Sequence, residues 1–358
     1  MPSATLVRPP PVDPSQSPIE TVLELRTLGD IGPDIFTNAR ELWHPTGARG
    51  VYGGAVIAQC LVAAQETVPS PSPENNHAVF LIHSMHCFFV LAGDASIPIL
   101  YHVERVRDGK SFLTRTVQAR QRGKCIFTTT LSFMRENSGG ESTVDHGWDM
   151  PEGAREGLDK ILQGQVDGDD EDAAPNGAES RRPFISKILG VADNHSPYPH
   201  QRKPEAWVKC RGSISASGGQ HAHLAALAYM SDSWFIGTVS RVHGISRAGA
   251  PLYNEMFPSI TRYSSEQVEG SKNTLRVPEG ARVGMMVSLD HSIYFHRPRE
   301  VKADEWMCSQ MQTPWSGQGR GLVEQRIWNK KGRLVASCYQ EGLVRLQQKG
   351  GAGSKSKL

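Results

Sequence analysis

The chain carries one pattern twice, and this duplication constrains its fold more than any other feature. In an early segment Val56, Ile57, Cys60, Leu61 and Ala64 recur at helical spacing after Gly53-Gly54. In a later one Leu224, Leu227, Ala228 and Met230 follow Gly218-Gly219. Each helical pattern leads into β-rich sequence containing His-Ser: His83-Ser84-Met85-His86-Cys87 first, then His291-Ser292-Ile293-Tyr294-Phe295-His296. Each copy ends in a hairpin, turning at Arg122-Gly123-Lys124 or Lys331-Gly332-Arg333, where glycine supplies the positive φ of a tight turn. His83 and His291, like Gly123 and Gly332, lie about 208–209 residues apart, so the order and spacing of the parts repeat together. One helix followed by several β-rich segments, present twice, predicts a duplicated α+β unit.

The sequence between and around the copies has linker composition. The expected organisation is a proline-rich, disordered tail over 1–20, a first unit over 21–135, a polar linker over 136–205, a second unit over 206–347 and a flexible tail over 348–358. The linker holds the acidic run Asp167-Gly168-Asp169-Asp170-Glu171-Asp172, which lacks EF-hand spacing and reads as a solvated loop. The apolar piece from Phe184 to Val191 is expected to be a short helix packed on one of the units.

Charge and cysteine usage narrow the function classes. A net charge of +2 over 358 residues argues against a dedicated nucleic-acid binder. The six cysteines form no CxxC pair and none has zinc-like spacing with histidine, so reduced, packed thiols are expected and no metal or cofactor. The N-terminus lacks the apolar core of a signal peptide, and no stretch reaches the roughly 18 apolar residues of a membrane span. The final Ser356-Lys357-Leu358 matches the address read by the peroxisomal import receptor, displayed on a Gly- and Lys-rich tail.

Several stretches resemble the type II acyl-CoA thioesterases, the TesB-like family. In the first copy these are Val51-Tyr52-Gly53-Gly54-Ala55-Val56-Ile57-Ala58-Gln59, and the run from Arg107-Asp108-Gly109-Lys110-Ser111-Phe112 through Thr129-Thr130-Leu131-Ser132-Phe133. In the second they are Tyr229-Met230-Ser231-Asp232, Asp290-His291-Ser292, Phe295-His296-Arg297-Pro298 and Gln340-Glu341-Gly342. The resemblance covers both units but neither the N-terminal tail nor the acidic linker, and the stretch from about 247 to 279 is longer than the family leads one to expect. It implies a double hot-dog fold, in which each unit wraps an antiparallel sheet around a long helix. It also implies hydrolysis of fatty acyl-CoA to fatty acid and CoA, with a water positioned by Asp232, Ser288 and Gln340. Members carrying Thr at the position of Ser288 keep the same hydroxyl.

The residues' own pattern leaves each of these roles open. Asp232 falls on the buried helical stripe with Leu224, Ala228 and Phe235, near a helix C-terminus where negative charge is unfavourable; it is either a partnered functional acid or a turn cap. Gln340 is the one amide on the face Leu334, Ala336, Cys338, Gln340, Gly342, Val344, and serves either the site or a core backbone bond. Strict alternation puts Ser288 with Met286, Asp290 and Ser292, opposite Val287, Leu289 and Ile293, a pattern a plain polar face also satisfies. A Ser-His-Asp triad is not expected, because the chain has no G-x-S-x-G elbow. Oxyanion donors are expected at a helix N-terminus after Gly53-Gly54 or Gly218-Gly219, with Gly53 and Gly54 the named candidates. Arg107, Arg115 and Arg297 are candidates for holding CoA. Two other functions compete: a hot-dog hydratase or dehydratase using an Asp-His pair, with His221 and His223 near Asp232 in sequence, and a non-catalytic acyl-CoA binder. Acyl chain length and oligomeric state, a homo-oligomer included, stay open.

Overall fold

The computed structural model describes residues 4–44, 50–165, 182–247, 277–278 and 280–347. The acidic run, the Ser356-Lys357-Leu358 tail and the stretch 248–276 lie outside the described residues. The first repeat contains α1 (Pro18–Leu23), β1 (Leu25–Thr27), β2 (Ile35–Asn38), α2 (Gly53–Gln65), β3 (Phe80–Phe89), β4 (Leu100–Asp108), β5 (Phe112–Gln121) and β6 (Lys124–Arg135). After α3 (Ala154–Leu162), the second repeat contains β7 (Phe184–Ala192), β8 (Lys203–Cys210), α4 (Gly219–Ser231), α5 (Gly237–Val242), β9 (Ser246–Arg247), β10 (Arg282–Ser288), β11 (Asp290–Phe295), β12 (Met307–Gly317), β13 (Arg320–Trp328) and β14 (Leu334–Leu346).

All the strands among the described residues join one sheet in the order β1-β2-β4-β5-β6-β3-β11-β14-β13-β12-β8-β7, with β10 beside β14 and β9 beside β10. Read outward from its middle, the order is nearly the same in both directions, which is the duplication expressed as topology. The seam is an antiparallel pairing of β3 with β11, with Cys87 opposite His291, and it covers two edges that isolated units would expose. Each unit is a hot-dog, and the chain is a double hot-dog.

Helices α2 and α4 pack against each other and run antiparallel. The Tyr52 hydroxyl at the start of α2 donates to the Tyr229 carbonyl near the end of α4, while Gln65 at the end of α2 donates to the His221 carbonyl near the start of α4. Small residues permit the close approach. A Cβ on Gly54 would lie 2.3 Å from the Tyr229 carbonyl oxygen. Ile57, Leu61, Leu224 and Leu227 are fully buried, each worth about 1.5–3 kcal/mol against leaving it in water. Glu66 caps α2 and Asp232 caps α4.

Two segments differ from the sequence expectation. Phe184–Ala192 is a strand, paired with β8 from Phe184–Cys210 onward, rather than a helix. A short apolar run cannot be assigned by periodicity, and here the edge of the second sheet supplies its partners. Within the N-terminal stretch expected to be disordered, Asn38 donates to the Ala4 carbonyl and Ser17 forms a capping box with Glu20 at the start of α1. The Glu20 carboxylate also accepts the Ser215 N–H and hydroxyl, and it lies where a Cβ on Gly218 would stand. It thereby fills the N-terminal end of α4.

Candidate active site

At the other end of the helix pair, the start of α2 faces Asp232. A Cβ on Gly53 would come within 2.7 Å of the Asp232 Oδ2, and the Gly54 N–H hydrogen-bonds the carboxylate. The α2 terminus therefore offsets the unfavourable position of this acid at the end of its own helix. Gln340 Nε2 donates to Asp232 Oδ1 at 3.1 Å. The carboxylate is enclosed by protein, although the residue keeps some solvent access. Burial pushes its pKa up from the ordinary 3.8 to about 7, against the pull of the Gln340 and Gly54 hydrogen bonds.

A bulge decides where Ser288 points. Ser288 pairs with Gly342, and Ser292 pairs with Tyr339. Between these pairs, Leu289, Asp290 and His291 face only Gln340 and Glu341, so the strand has one residue more than its partner. Asp290 stabilises the irregularity by accepting the Glu341 N–H on its carboxylate at 2.7 Å. The alternation reverses across the bulge. Ser288 thus stands on the face of Gln340, His291 and Ile293, not with Asp290 and Ser292 as uninterrupted alternation required. The structure brings Asp232 and Gln340 into direct contact and sets Ser288 diagonally from Gln340 on the same face. No hydrogen bond joins Ser288 to either.

The surroundings contain residues that sequence reasoning did not pick out. The Tyr52 ring lies between those of Trp43 and Tyr229, tilted by 56° to each, at centroid distances of 5.5 and 5.0 Å. Its pKa is raised by burial and then by the Asp232 charge, which places the phenol beside the acid. The Arg182 guanidinium lies over Trp43 at 5.4 Å and over Phe184 and Trp234 at 6.0 Å. Position was the available signal: Tyr52 precedes the diglycine, and Tyr229 and Trp234 flank Asp232. His291, noted in the sequence only for the repeat and the family motif, is fully buried, with Nε2 3.0 Å from the Ser231 hydroxyl. Among the suggested CoA-binding residues, Arg115 is fully buried and committed to Thr67 and Asp108, so it is a core residue. Arg297 pairs with Asp145. Among the described residues no group of His, Cys, Asp and Glu is arranged to hold a metal.

Comparison with known proteins identifies the family. The model of the acyl-CoA thioesterase N-terminal domain matches residues 40–134, and that of the acyl-CoA thioesterase C-terminal domain matches residues 165–344. The chain belongs to the acyl-CoA thioesterase family. This thioesterase is 32% identical to human acyl-coenzyme A thioesterase 8 over 350 residues, covering 94% of this chain and 92% of that one. It is 26% identical to the peroxisomal acyl-coenzyme A thioester hydrolase 1 of Saccharomyces cerevisiae, covering 92% and 95% of the two chains. Among solved structures, the acyl-CoA thioesterase II TesB2 of Mycobacterium marinum superposes with a TM-score of 0.61 at 26% identity, covering 94% of this chain and 99% of that one. The C-terminal family match begins inside the stretch read as linker, consistent with β7 being part of the second thioesterase unit.

Proposed function

We propose that this acyl-CoA thioesterase hydrolyses fatty acyl-CoA by direct attack of a water that Asp232 deprotonates. The observation that carries this reading is the enclosed Asp232 carboxyl, with its pKa near 7, held by Gln340 on one side and the α2 terminus on the other. A base poised near neutrality takes a proton efficiently without being permanently protonated. Gln340 and Ser288, on one sheet face, orient the water. Water oxygen bonds to the thioester carbon while its proton passes to Asp232. The resulting oxyanion is stabilised by backbone N–H groups at the diglycine start of α2, Gly53 and Gly54, with the Gly54 N–H turning to it from the Asp232 carboxylate as that group takes up the proton. Collapse breaks the C–S bond, and the departing thiolate takes the proton back from Asp232, giving fatty acid and CoA.

Asp232→Asn removes the base and keeps the shape, so turnover should fall by about 100-fold or more with acyl-CoA binding retained. Near-normal thiol release by a folded variant sinks the mechanism. The competing hydratase reading needs an Asp-His pair. No hydrogen bond joins Asp232 to a histidine among the described residues, and His221 and His223 lie toward the opposite end of α4, about 14–16 Å along the helix from Asp232 at 1.5 Å per residue. Comparing thiol release with hydration of an enoyl-CoA separates the two.

Peroxisomal residence is part of the same proposal. It is supported by Ser356-Lys357-Leu358 and by the likeness to the yeast peroxisomal hydrolase, and it implies the import receptor as a partner.

A further inference from the structure

Gln340 poses a problem that its contact with Asp232 does not solve. A carboxamide presents a donor at one end and an acceptor at the other, and the two ends have nearly the same shape. If the amide turned over, its oxygen would face the carboxylate and repel it. Something must hold the donor end toward Asp232.

Two buried polar atoms near the site have no hydrogen-bond partner: Gln340 Oε1 and His291 Nδ1. They belong to residues that the strand register sets opposite each other on β14 and β11, facing the same side, and both side chains are fully buried. Leaving two such atoms unpaired is costly, and a single proton on Nδ1 satisfies both. The other ring nitrogen, Nε2, lies 3.0 Å from the Ser231 hydroxyl; that hydroxyl is also 2.9 Å from the Ala228 carbonyl, and its one proton turns from the carbonyl to Nε2 in this arrangement. The alternative tautomer, with the proton on Nε2, leaves a bare nitrogen and an orphaned carbonyl oxygen side by side.

We infer that His291 is a positioning residue: its Nδ1–H donates to Gln340 Oε1, and this turns the amide so that Nε2 donates to Asp232. The bulge at Leu289 and Asp290 makes this possible, because it switches His291 onto the face of Gln340. The hydrogen bond is not closed in the structure, where both atoms stand without a partner. The ring's charge state fits the role. Burial drives its pKa down to about 3, and Gln340 draws it partly back up, as an acceptor oxygen facing an imidazole does. The imidazole is thus neutral at physiological pH, with one proton whose location sets the orientation of the next side chain. Ser231, His291, Gln340 and Asp232 form a directed chain of donors ending at the base.

The inference rests on the proposed roles of Asp232 and Gln340, and its test separates the two layers. His291→Phe keeps the ring and removes the donor. It should lower kcat about tenfold with KM within about twofold of the parent, since the contact orients a catalytic group and not the substrate. His291→Asn places an N–H where Nδ1 stands and should recover most of the loss. In a Gln340→Ala background, His291→Phe should cost no further turnover, because the group it orients is gone. A purely structural histidine would give additive losses and no rescue, which overturns the inference. If the Phe variant does not fold, nitrogen-15 NMR of the His291 ring in the intact parent decides directly: a protonated Nδ1 is expected, and a protonated Nε2 refutes it. Normal turnover by Asp232→Asn would instead defeat the mechanism beneath. Inactive Asp232→Asn and Gln340→Ala beside a fully active His291→Phe would defeat this inference alone.

Discussion

Replacing Asp232 with Asn should make the protein more stable while making it inactive, and the gain should depend on pH in a defined way. The native carboxyl has a pKa of about 7, against an ordinary 3.8. A carboxyl whose folded-state pKa is raised favours the folded state below the unfolded pKa, and that contribution is lost as pH rises through the folded value. Between about pH 4 and pH 7 the unfolded chain gives up its proton and the folded chain keeps it, so ionisation progressively favours unfolding. At about 1.4 kcal/mol per pH unit, this range sets a ceiling of about 4 kcal/mol. The residue keeps some solvent access, so about 2 kcal/mol is the better expectation. Asn has no proton to lose and escapes the cost, although its NH₂ competes with the donors that now serve the carboxylate, a penalty that does not vary with pH. Denaturant unfolding of parent and variant from pH 4 to pH 8 measures the difference. Relative to pH 4, the variant should gain stability up to about pH 7 and then level off. A difference that is flat across this range refutes the argument that burial sets the carboxyl's pKa.

Three other perturbations follow from the geometry. Gly54→Ala drives a methyl onto the Tyr229 backbone oxygen, which cannot yield without parting the helices; a loss of about 2–4 kcal/mol in denaturant unfolding is expected, with loss of turnover, and parental stability would contradict the close approach. Ser288→Thr should keep most of the parental kcat and Ser288→Ala should lose about tenfold or more, whereas equal activity of the two removes the hydroxyl from the mechanism. Removing Ser356, Lys357 and Leu358 should leave thiol release intact and the protein cytosolic under microscopy; continued import into peroxisomes would overturn the targeting assignment.

The sequence revealed the repeat because each hot-dog needs the same succession of helix, strands and hairpin, and local patterning carries that succession. The helical patterns that follow Gly53-Gly54 and Gly218-Gly219 are the helices Gly53–Gln65 and Gly219–Ser231. What escaped is non-local. The inward orientation of Ser288 depends on an extra residue in β10–β11, visible only once β14 is aligned beside it. The strand at Phe184–Ala192 exists because β8 is there to pair with it. Asp232 looked badly placed at the end of α4, and only the antiparallel approach of α2, a helix more than 150 residues earlier in the chain, supplies the N–H that offsets it. Arg115 shows the reverse error: a basic residue within a family motif proved to be a buried strut.

The two ends of the helix pair have been put to different uses. At one end a diglycine start meets Asp232; at the other the corresponding start is occupied by Glu20, with Glu66 capping the neighbouring helix. Two identical subunits could not diverge in this way, since every substitution would appear at both ends of the pair. Joining the copies in one chain lifts that symmetry. A change that would be ruinous at the proposed catalytic end is free to accumulate at the other. Fusion here therefore separates two selective pressures that a homodimer must satisfy with a single sequence: the end where α2 starts beside Asp232 and the end where α4 starts beside Glu20 are each built from both copies, yet no longer need to match.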